Sequence, residues 1–349
     1  GEKKMAEEKK TKKLSIFLRI VIALLIILVL IVGVAFFYVK GKLDKIQRVE
    51  LPSDEDLGIT ETTAQNLTGY RNIAIFGVDS RSDDYGVGNR SDCIIIASIN
   101  NDTGAIKLIS VYRDTYVNIE GHGLDKITHA YSFGEAPLAI KTLNTNLDLN
   151  INEFVTVNFD SVAEAVDQLG GVQLTITSDE IKYINGYIDE TSRVTGKTSS
   201  HITQPGTYTV DGVQAVSYSR IRYTDGGDYK RTERMRTVIE AMFSKLKTKS
   251  ITEINSFADK ILPHVYTNIS ATDILTMVPS MSKYKVTESI GWPYDTKGKT
   301  MDRWYGIPVT LESNVTQLHK EAFGEEDYTP SDTVKSISAN IVKKTGYTK

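Results

Sequence analysis

Apolar and polar positions divide the chain into stretches of different kinds. Residues 20–39 read IVIALLIILVLIVGVAFFYV, without a single charge. As a helix this run rises roughly 30 Å, the thickness of a bilayer's hydrocarbon core, and it predicts one transmembrane helix. A cleaved leader needs a shorter apolar region and a small-residue cleavage site, whereas the large residues FFYVK stand here. Lys3, Lys4, Lys9, Lys10, Lys12, Lys13 and Arg19 precede the run, against Lys40, Lys42, Lys45 and Arg48 soon after it. That excess predicts a cytoplasmic tail at 1–19 and an extracellular chain beyond the membrane span.

Residues 40–69 are polar, lack apolar periodicity and read as an extracellular stalk. From Tyr70 the pattern is that of a compact α/β domain. NIAIFGVD and DCIIIASIN are apolar, β-branched runs expected as buried strands, and AIKLISVYRD is a third after the turn residues NNDTG. Helical spacing of Ala139, Ile140, Leu143 and Leu147 predicts a helix over 136–149, followed by a strand at 154–159. Asp160 can cap the helix SVAEAVDQLGG, whose paired glycines are a stop signal, and VQLTI reads as the next strand. The polar stretch 178–210 is expected as an excursion from the sheet, with VQAVSYSR leading back. An amphipathic helix is expected over 232–246 and further helices at 251–262 and 271–284. Residues 290–309 read as loop and short strand, and 332–344 as a last surface helix. The domain is thus expected over 70–284, with a C-terminal extension of unassigned role at 285–349.

The first three strands carry a geometric consequence. If they run antiparallel, Asp79, Asp92 and Arg113 return to one edge of the sheet, where ligands of open α/β sheets bind. The polar loop SRSDDYGVGNRS would lie over that edge. Carboxylates and arginines meeting there suit a divalent metal held between protein and phosphate oxygens. The formal net charge is only −3, yet Arg220, Arg222, Arg231, Arg234 and Arg236 crowd into YSRIRYTDGGDYKRTERMR. So many guanidinium groups repel one another unless an anion is shared, and their forks match phosphate bidentately. A surface of weak ion pairs is the bland reading. Nucleic acid is a poor partner outside a cell, and the acids of TDGGDY weaken a simple tether to anionic lipid.

Other chemistries lose support. The two GKT triplets, at Gly196 and Gly298, follow Thr191 and Pro293 where a phosphate-binding P-loop needs glycine. The five histidines show no metal-ligand spacing, and no serine sits in a G-x-S-x-G elbow. Cys93, the single cysteine, excludes an internal disulfide and reads as a packed strand residue rather than a nucleophile.

FGVDSR, RSDCIII, SVYRDT, KITHAYSFGE, NFDSVAEAVDQLGGV and YSRIRYTDGGDYKRTERMR follow one another in the order seen in the LytR-CpsA-Psr family, which the chain resembles over 70–246. The resemblance implies a three-layer α/β/α sandwich around a central mixed sheet, preceded by one N-terminal transmembrane helix. It implies a phosphotransferase that moves an anionic or secondary cell-wall glycopolymer from a polyprenyl-pyrophosphate carrier to a peptidoglycan sugar hydroxyl. An apolar pocket would take the polyprenyl chain, with Mg²⁺ or Mn²⁺ on the pyrophosphate. Matched residue by residue, Asp79 and Asp92 stand where the family has metal-associated aspartates. Arg81, Arg113, Arg220, Arg222 and Arg231 stand where it holds phosphate, and Arg234, in the last arginine pair, is expected on the pyrophosphate with them. Cys93 stands where threonine is common, and Lys230 and Met235 where glycine and glutamine are common. Wall teichoic acid, capsule and rhamnose-type polymers are all compatible cargoes. Two alternatives fit the same residues: a hydrolase of the lipid carrier, and a non-catalytic membrane-anchored sensor of lipid-linked precursors.

Overall fold

The structure is a computed structural model and describes residues 47–80, 85–269, 277 and 280–348. The expected membrane span, the cytoplasmic tail, Arg81 and most of the helix expected at 271–284 lie outside these residues. No helix among the described residues is long and apolar enough to cross a membrane.

The fold is mixed α/β. β2 (Tyr70–Val78), β3 (Ser91–Asn100) and β4 (Ala105–Val111) form the antiparallel meander expected from their apolar runs. The turn after β3 closes because Asn100 Oδ1 accepts the N–H groups of Asp102 and Thr103 at 3.1 and 2.9 Å. β7 (Glu153–Asn158) joins β2 in parallel, β10 (Tyr266–Thr267) and β1 (Gln47–Arg48) extend that edge, and β11 (Lys285–Trp292) joins β4 in parallel. The resulting order is β1-β10-β7-β2-β3-β4-β11.

Strand alternation sends Ala74, Phe76, Ile94 and Ile96 to one face and Ile73, Ile95 and Ala97 to the other. On the first face pack α2 (Thr128–Leu147), α8 (Leu311–Phe323) and α9 (Asp332–Thr345). The second face meets α6 (Gly227–Leu246) through Ile239 and Phe243. Within α2, Gly134 and Glu135 leave helical geometry, and Pro137 follows where its missing N–H costs nothing. The helix expected from Ala136 is therefore the second part of a longer element.

Three expectations need correction. Residues from Leu57 to Leu67 are not a free stalk. Leu57, Ile59 and Leu67 are buried in the main core, and α1 (Glu61–Asn66) starts at Thr60, which accepts from the Thr63 N–H at 3.1 Å. The stretch 178–210 leaves the central sheet as expected, forming α4 (Ser178–Thr195), whose Ile184, Ile188 and Thr191 are buried, and β9 (Gly206–Val210). β9 pairs with β8 (Val172–Ile176) outside the central sheet, and VQAVSYSR is helical, within α5 (Gly212–Arg220).

Finally, the segment after 284 is no appendage. β11 continues the sheet, Trp292 is fully buried with its indole N–H donating to the Asn314 carbonyl at 3.1 Å, and Asp148 accepts from Ser331 N–H and Oγ–H at 2.8 and 2.6 Å. β11 escapes notice because an edge strand buries few side chains; Glu288 and Ser289 face solvent. The last helix is where its periodicity put it.

If residues 57–67 belong to the core, Leu67→Ala should destabilise the protein by about 2–5 kcal/mol. A denaturant or thermal melt checks this; an unchanged midpoint is the result a solvated stalk would give.

Candidate active site

The antiparallel meander brings the ends of β2, β3 and β4 together, and a bulge sharpens the arrangement. Gly77 pairs with Cys93 but Val78 pairs with Ser91, so Asp92 is the extra residue and is re-aimed out of the regular ladder. Gly77 is needed for this approach, since a Cβ there would stand 2.8 Å from the Cys93 Cβ. Asp92 Oδ1 accepts from Arg113 Nη1 at 2.5 Å. Its other oxygen lies 3.6 Å from Arg222 Nη2 and 4.0 Å from Arg231 Nη1.

Two further acids complete the cluster. Asp228, in the first turn of α6, meets Arg231 Nη2 at 3.0 Å and lies 3.8 Å from Arg113 Nε. Asp114 lies 3.7 Å from Arg113 Nε and accepts from Lys126 Nζ at 2.7 Å. Burial opposes the charge of Arg113, but Asp92, Asp228 and Asp114 outweigh it and hold its pKa above the ordinary arginine value. At Arg231 burial wins: with 2% of its surface exposed, its pKa is pulled down by desolvation and by Arg222 and Arg113, against Asp228 and Asp92. The Nε atoms of Arg113 and Arg231 are buried without a hydrogen-bond acceptor among the described residues. The site therefore holds guanidinium groups close together with donors to spare, as an anion-binding site requires.

Not every expected residue joins it. Arg220 ends α5 and donates to Thr191 Oγ1 at 3.1 Å and Glu190 Oε1 at 3.0 Å, over the rings of Tyr187 and Phe159. Arg234 is turned into the protein, donating to Glu180 Oε1 (2.7 Å), the Ile221 carbonyl (3.0 Å) and Thr224 Oγ1 (2.7 Å). It pins the loop that carries Arg222 rather than joining the cluster. Arg236 is likewise buried, donating to the Ile290 carbonyl at 3.1 Å. Asp79 stands exposed just past β2, with no ion pair among the described residues. Asp228 is the residue that the sequence reading misses: its signal is an acid three positions before Arg231 at a helix start, within the acidic stretch TDGGDY.

Beside the cluster, β2, β3 and β7 face α3 (Phe159–Gln168), α6 and α7 (Ile251–Ile261) across an apolar cavity of about 310 Å³. Ile75, Val157, Val162, Met242, Phe243 and Phe257 are among its walls. Val78 and Cys93 also line it, so Asp79 and Asp92 each stand one residue from the apolar lining. Burial pushes the Cys93 thiol up to about 12, which favours the protonated form and argues against a nucleophilic role. Cys93 and Met235 both contribute apolar surface to the cavity.

Among the described residues no three His, Cys, Asp or Glu side chains converge as a ready-made metal cage. Asp79 and the outer oxygen of Asp92 are nonetheless hard donors of the kind Mg²⁺ uses when one or two carboxylates share it with substrate phosphates. The donor set fits such an ion.

Comparison with known proteins agrees with this architecture. The polyisoprenyl-teichoic acid–peptidoglycan teichoic acid transferase TagT of Bacillus subtilis (strain 168) is 29% identical over 310 residues, 85% of this chain and 92% of the relative. The solved structure of TagT bound to LIIa-WTA superposes with a TM-score of 0.56 at 24% identity, covering 80% of this chain and 92% of that one. That of the LytR-CPS2A-psr family protein YwtF (TagT) with bound octaprenyl pyrophosphate lipid gives 0.51 at 23% identity, over 80% and 92%. The LytR_cpsA_psr family model matches residues 36–319. The chain belongs to the LytR-CpsA-Psr family.

Proposed function

We propose that this chain is a phosphotransferase that moves an anionic or secondary cell-wall glycopolymer from a polyprenyl-pyrophosphate carrier to a sugar hydroxyl of peptidoglycan. The observation that carries this reading is the junction of a cationic cluster, with unfilled guanidinium donors, and an apolar cavity. A ligand that suits both has a long hydrocarbon joined directly to a multiply charged oxyanion, the chemistry of a polyprenyl pyrophosphate. The relatives named for teichoic acid transfer, and the related structure holding octaprenyl pyrophosphate, support the same reading.

The reaction is a displacement at the polymer-side phosphorus. An acceptor hydroxyl forms the new P–O bond, the bond to the bridging oxygen breaks, and polyprenyl monophosphate departs, while the hydroxyl proton passes to a carboxylate. The pyrophosphate bond supplies the driving force, so no nucleotide is needed outside the cell. Arg113, Arg222 and Arg231 neutralise the phosphoryl oxygens, and Asp92 and Asp228 keep the three guanidinium groups together and oriented. Positioning and charge stabilisation provide most of the acceleration in phosphoryl transfer. Asp79 and Asp92 would hold a Mg²⁺ or Mn²⁺ ion, which when bound adds positive charge on the pyrophosphate oxygens. The family resemblance also gives Arg81 and Arg220 a role on phosphate; Arg220 is held here by Glu190 and Thr191. An anchor at 20–39, with the N-terminus cytoplasmic, would place the domain where lipid-linked polymer and peptidoglycan meet.

In a purified system, Arg113→Ala should slow transfer by roughly 10²- to 10⁴-fold, the loss of about 3–5 kcal/mol of transition-state stabilisation. An undiminished rate would sink the assignment. Product analysis decides between transfer and hydrolysis: labelled polymer on the glycan supports this reading, and free polymer supports a hydrolase. Removal of divalent cations with a chelator should abolish turnover and added Mg²⁺ or Mn²⁺ restore it; full activity in chelator refutes the metal assignment.

A further inference from the structure

The cavity and the C-terminal hairpin lie on opposite faces of the central sheet. β12 (Thr296–Thr300) and β13 (Trp304–Pro308) form that hairpin, and Tyr305 and Ile307 belong to the same core as Phe76, Ile94 and α2. The cavity instead opens against Ile75, Gly77 and Cys93 on the other face. Asp92 and Arg113 stand at the strand ends between the two. In phosphoryl transfer the attacking and leaving oxygens are roughly in line through phosphorus. If the leaving polyprenyl phosphate lies on the cavity side, the acceptor must approach from the hairpin side.

What waits there is an aromatic platform. Trp304 is 44% exposed, although its partner strand could have covered it. Its indole lies against Gly298: a Cβ at that glycine would stand 2.9 Å from Nε1 and 3.2 Å from Cζ2. The glycine lets the ring lie down on the hairpin and turn its other side to solvent. The platform is tied to the reacting centre. The Gly306 N–H donates to the Asp114 carbonyl at 3.0 Å, and Trp304 Cη2 and that carbonyl oxygen lie 3.8 and 3.7 Å from one point, the position of a Cβ on Gly306. Just before the ring in the chain, exposed Asp302 and Arg303 pair at 3.0 Å while the other Asp302 oxygen accepts from the Tyr305 hydroxyl at 2.8 Å, which holds the carboxylate in place as a charged partner for hydroxyl and amide groups. An open indole flanked by a carboxylate and a guanidinium is the surface chemistry that binds a sugar ring, whose axial C–H groups pack on the π face while its polar groups find hydrogen bonds.

We propose that Trp304 is the stacking platform for an amino-sugar ring of the acceptor glycan strand and sets the enzyme's affinity for its acceptor. The assignment of acceptor rests on the transferase reading above; the presence of a glycan-binding indole does not. Trp304 is a positioning residue for the hydroxyl that attacks, and it makes no contact with the lipid.

The chain holds two tryptophans, and Trp292 is fully buried, so quenching by acrylamide reports Trp304. With the full chain in detergent and no lipid-linked donor, purified peptidoglycan glycan fragments should protect the fluorescence from acrylamide. Trp304→Phe, which retains only Trp292, should show no such change. Absence of protection in the wild-type chain overturns the platform whatever the enzyme turns over.

In the transfer assay, Trp304→Ala should raise the acceptor KM on the order of tenfold, with kcat and the donor KM nearly unchanged, and Trp304→Phe should recover most of the loss. A change confined to the donor KM, or a fall in kcat alone, overturns the acceptor assignment. Loss of lipid binding together with transfer would show a fold defect and likewise overturn it. A wild-type chain that is protected by glycan but never transfers polymer to it leaves the platform standing and defeats the transferase reading instead.

Discussion

Gathering three guanidinium groups, two of them largely buried, around one largely buried carboxylate is the constraint on which the rest of the structure depends. Taking an arginine out of water costs several kcal/mol unless its charge is met at close range, and Arg231 is almost wholly buried. Asp92 and Asp228 meet it incompletely: Asp228 stands at 3.0 Å, the Asp92 backbone carbonyl at 3.4 Å and its carboxylate at 4.0 Å, and Nε has no acceptor among the described residues. An arrangement left short of acceptors is relieved by an incoming oxyanion, so the free protein is built in the electrostatic shape of its ligand. The bulge that re-aims Asp92, the short loop held by Arg234 and the first turn of α6 serve that end. Each delivers one charged side chain from a different part of the chain to the same strand edge.

The surrounding fold makes those positions stiff. Arg113 stands two residues past the end of β4, and its backbone carbonyl accepts from the Thr128 N–H at 3.1 Å, tying it to the start of α2. Residues 114 and 115 bridge to Gly306 of the hairpin. Arg236, through its hydrogen bond to the Ile290 carbonyl, fastens α6 to β11 and thereby fixes the helix that carries Asp228 and Arg231. The C-terminal segment is therefore part of the scaffold that positions the site.

How much of this was legible beforehand follows from the kind of signal each element leaves. The runs NIAIFGVD and DCIIIASIN are apolar on both faces because both faces are covered, and such runs announce central strands. Their antiparallel order, inferred from the turn NNDTG, was enough to bring Asp92 to Arg113. By contrast, β11 and α4 each bury a narrow stripe among polar residues, and their sequences resemble loops until the partner surfaces are known. Arginines pose a harder problem. Arg222, Arg231 and Arg234 look alike in the sequence, and only packing decides that two face a carboxylate at the site while the third is satisfied by Glu180 and a carbonyl. Charge type is written in the chain, but the direction of a side chain is set by neighbours remote in it.

The neighbouring positions of Val78 and Asp79, and of Asp92 and Cys93, carry a consequence for which lipids can be handled. Along a strand one residue advances about 3.3 Å, so the wall of the cavity gives way to ionised groups within a single peptide step. A bilayer spreads the same transition over several ångströms of headgroup. An amphiphile with an uncharged sugar or glycerol spacer between hydrocarbon and phosphate would leave either its spacer against grease or its charge short of the arginines. Selection against the bulk lipids of the membrane is thus a matter of where the first negative atom falls along the molecule.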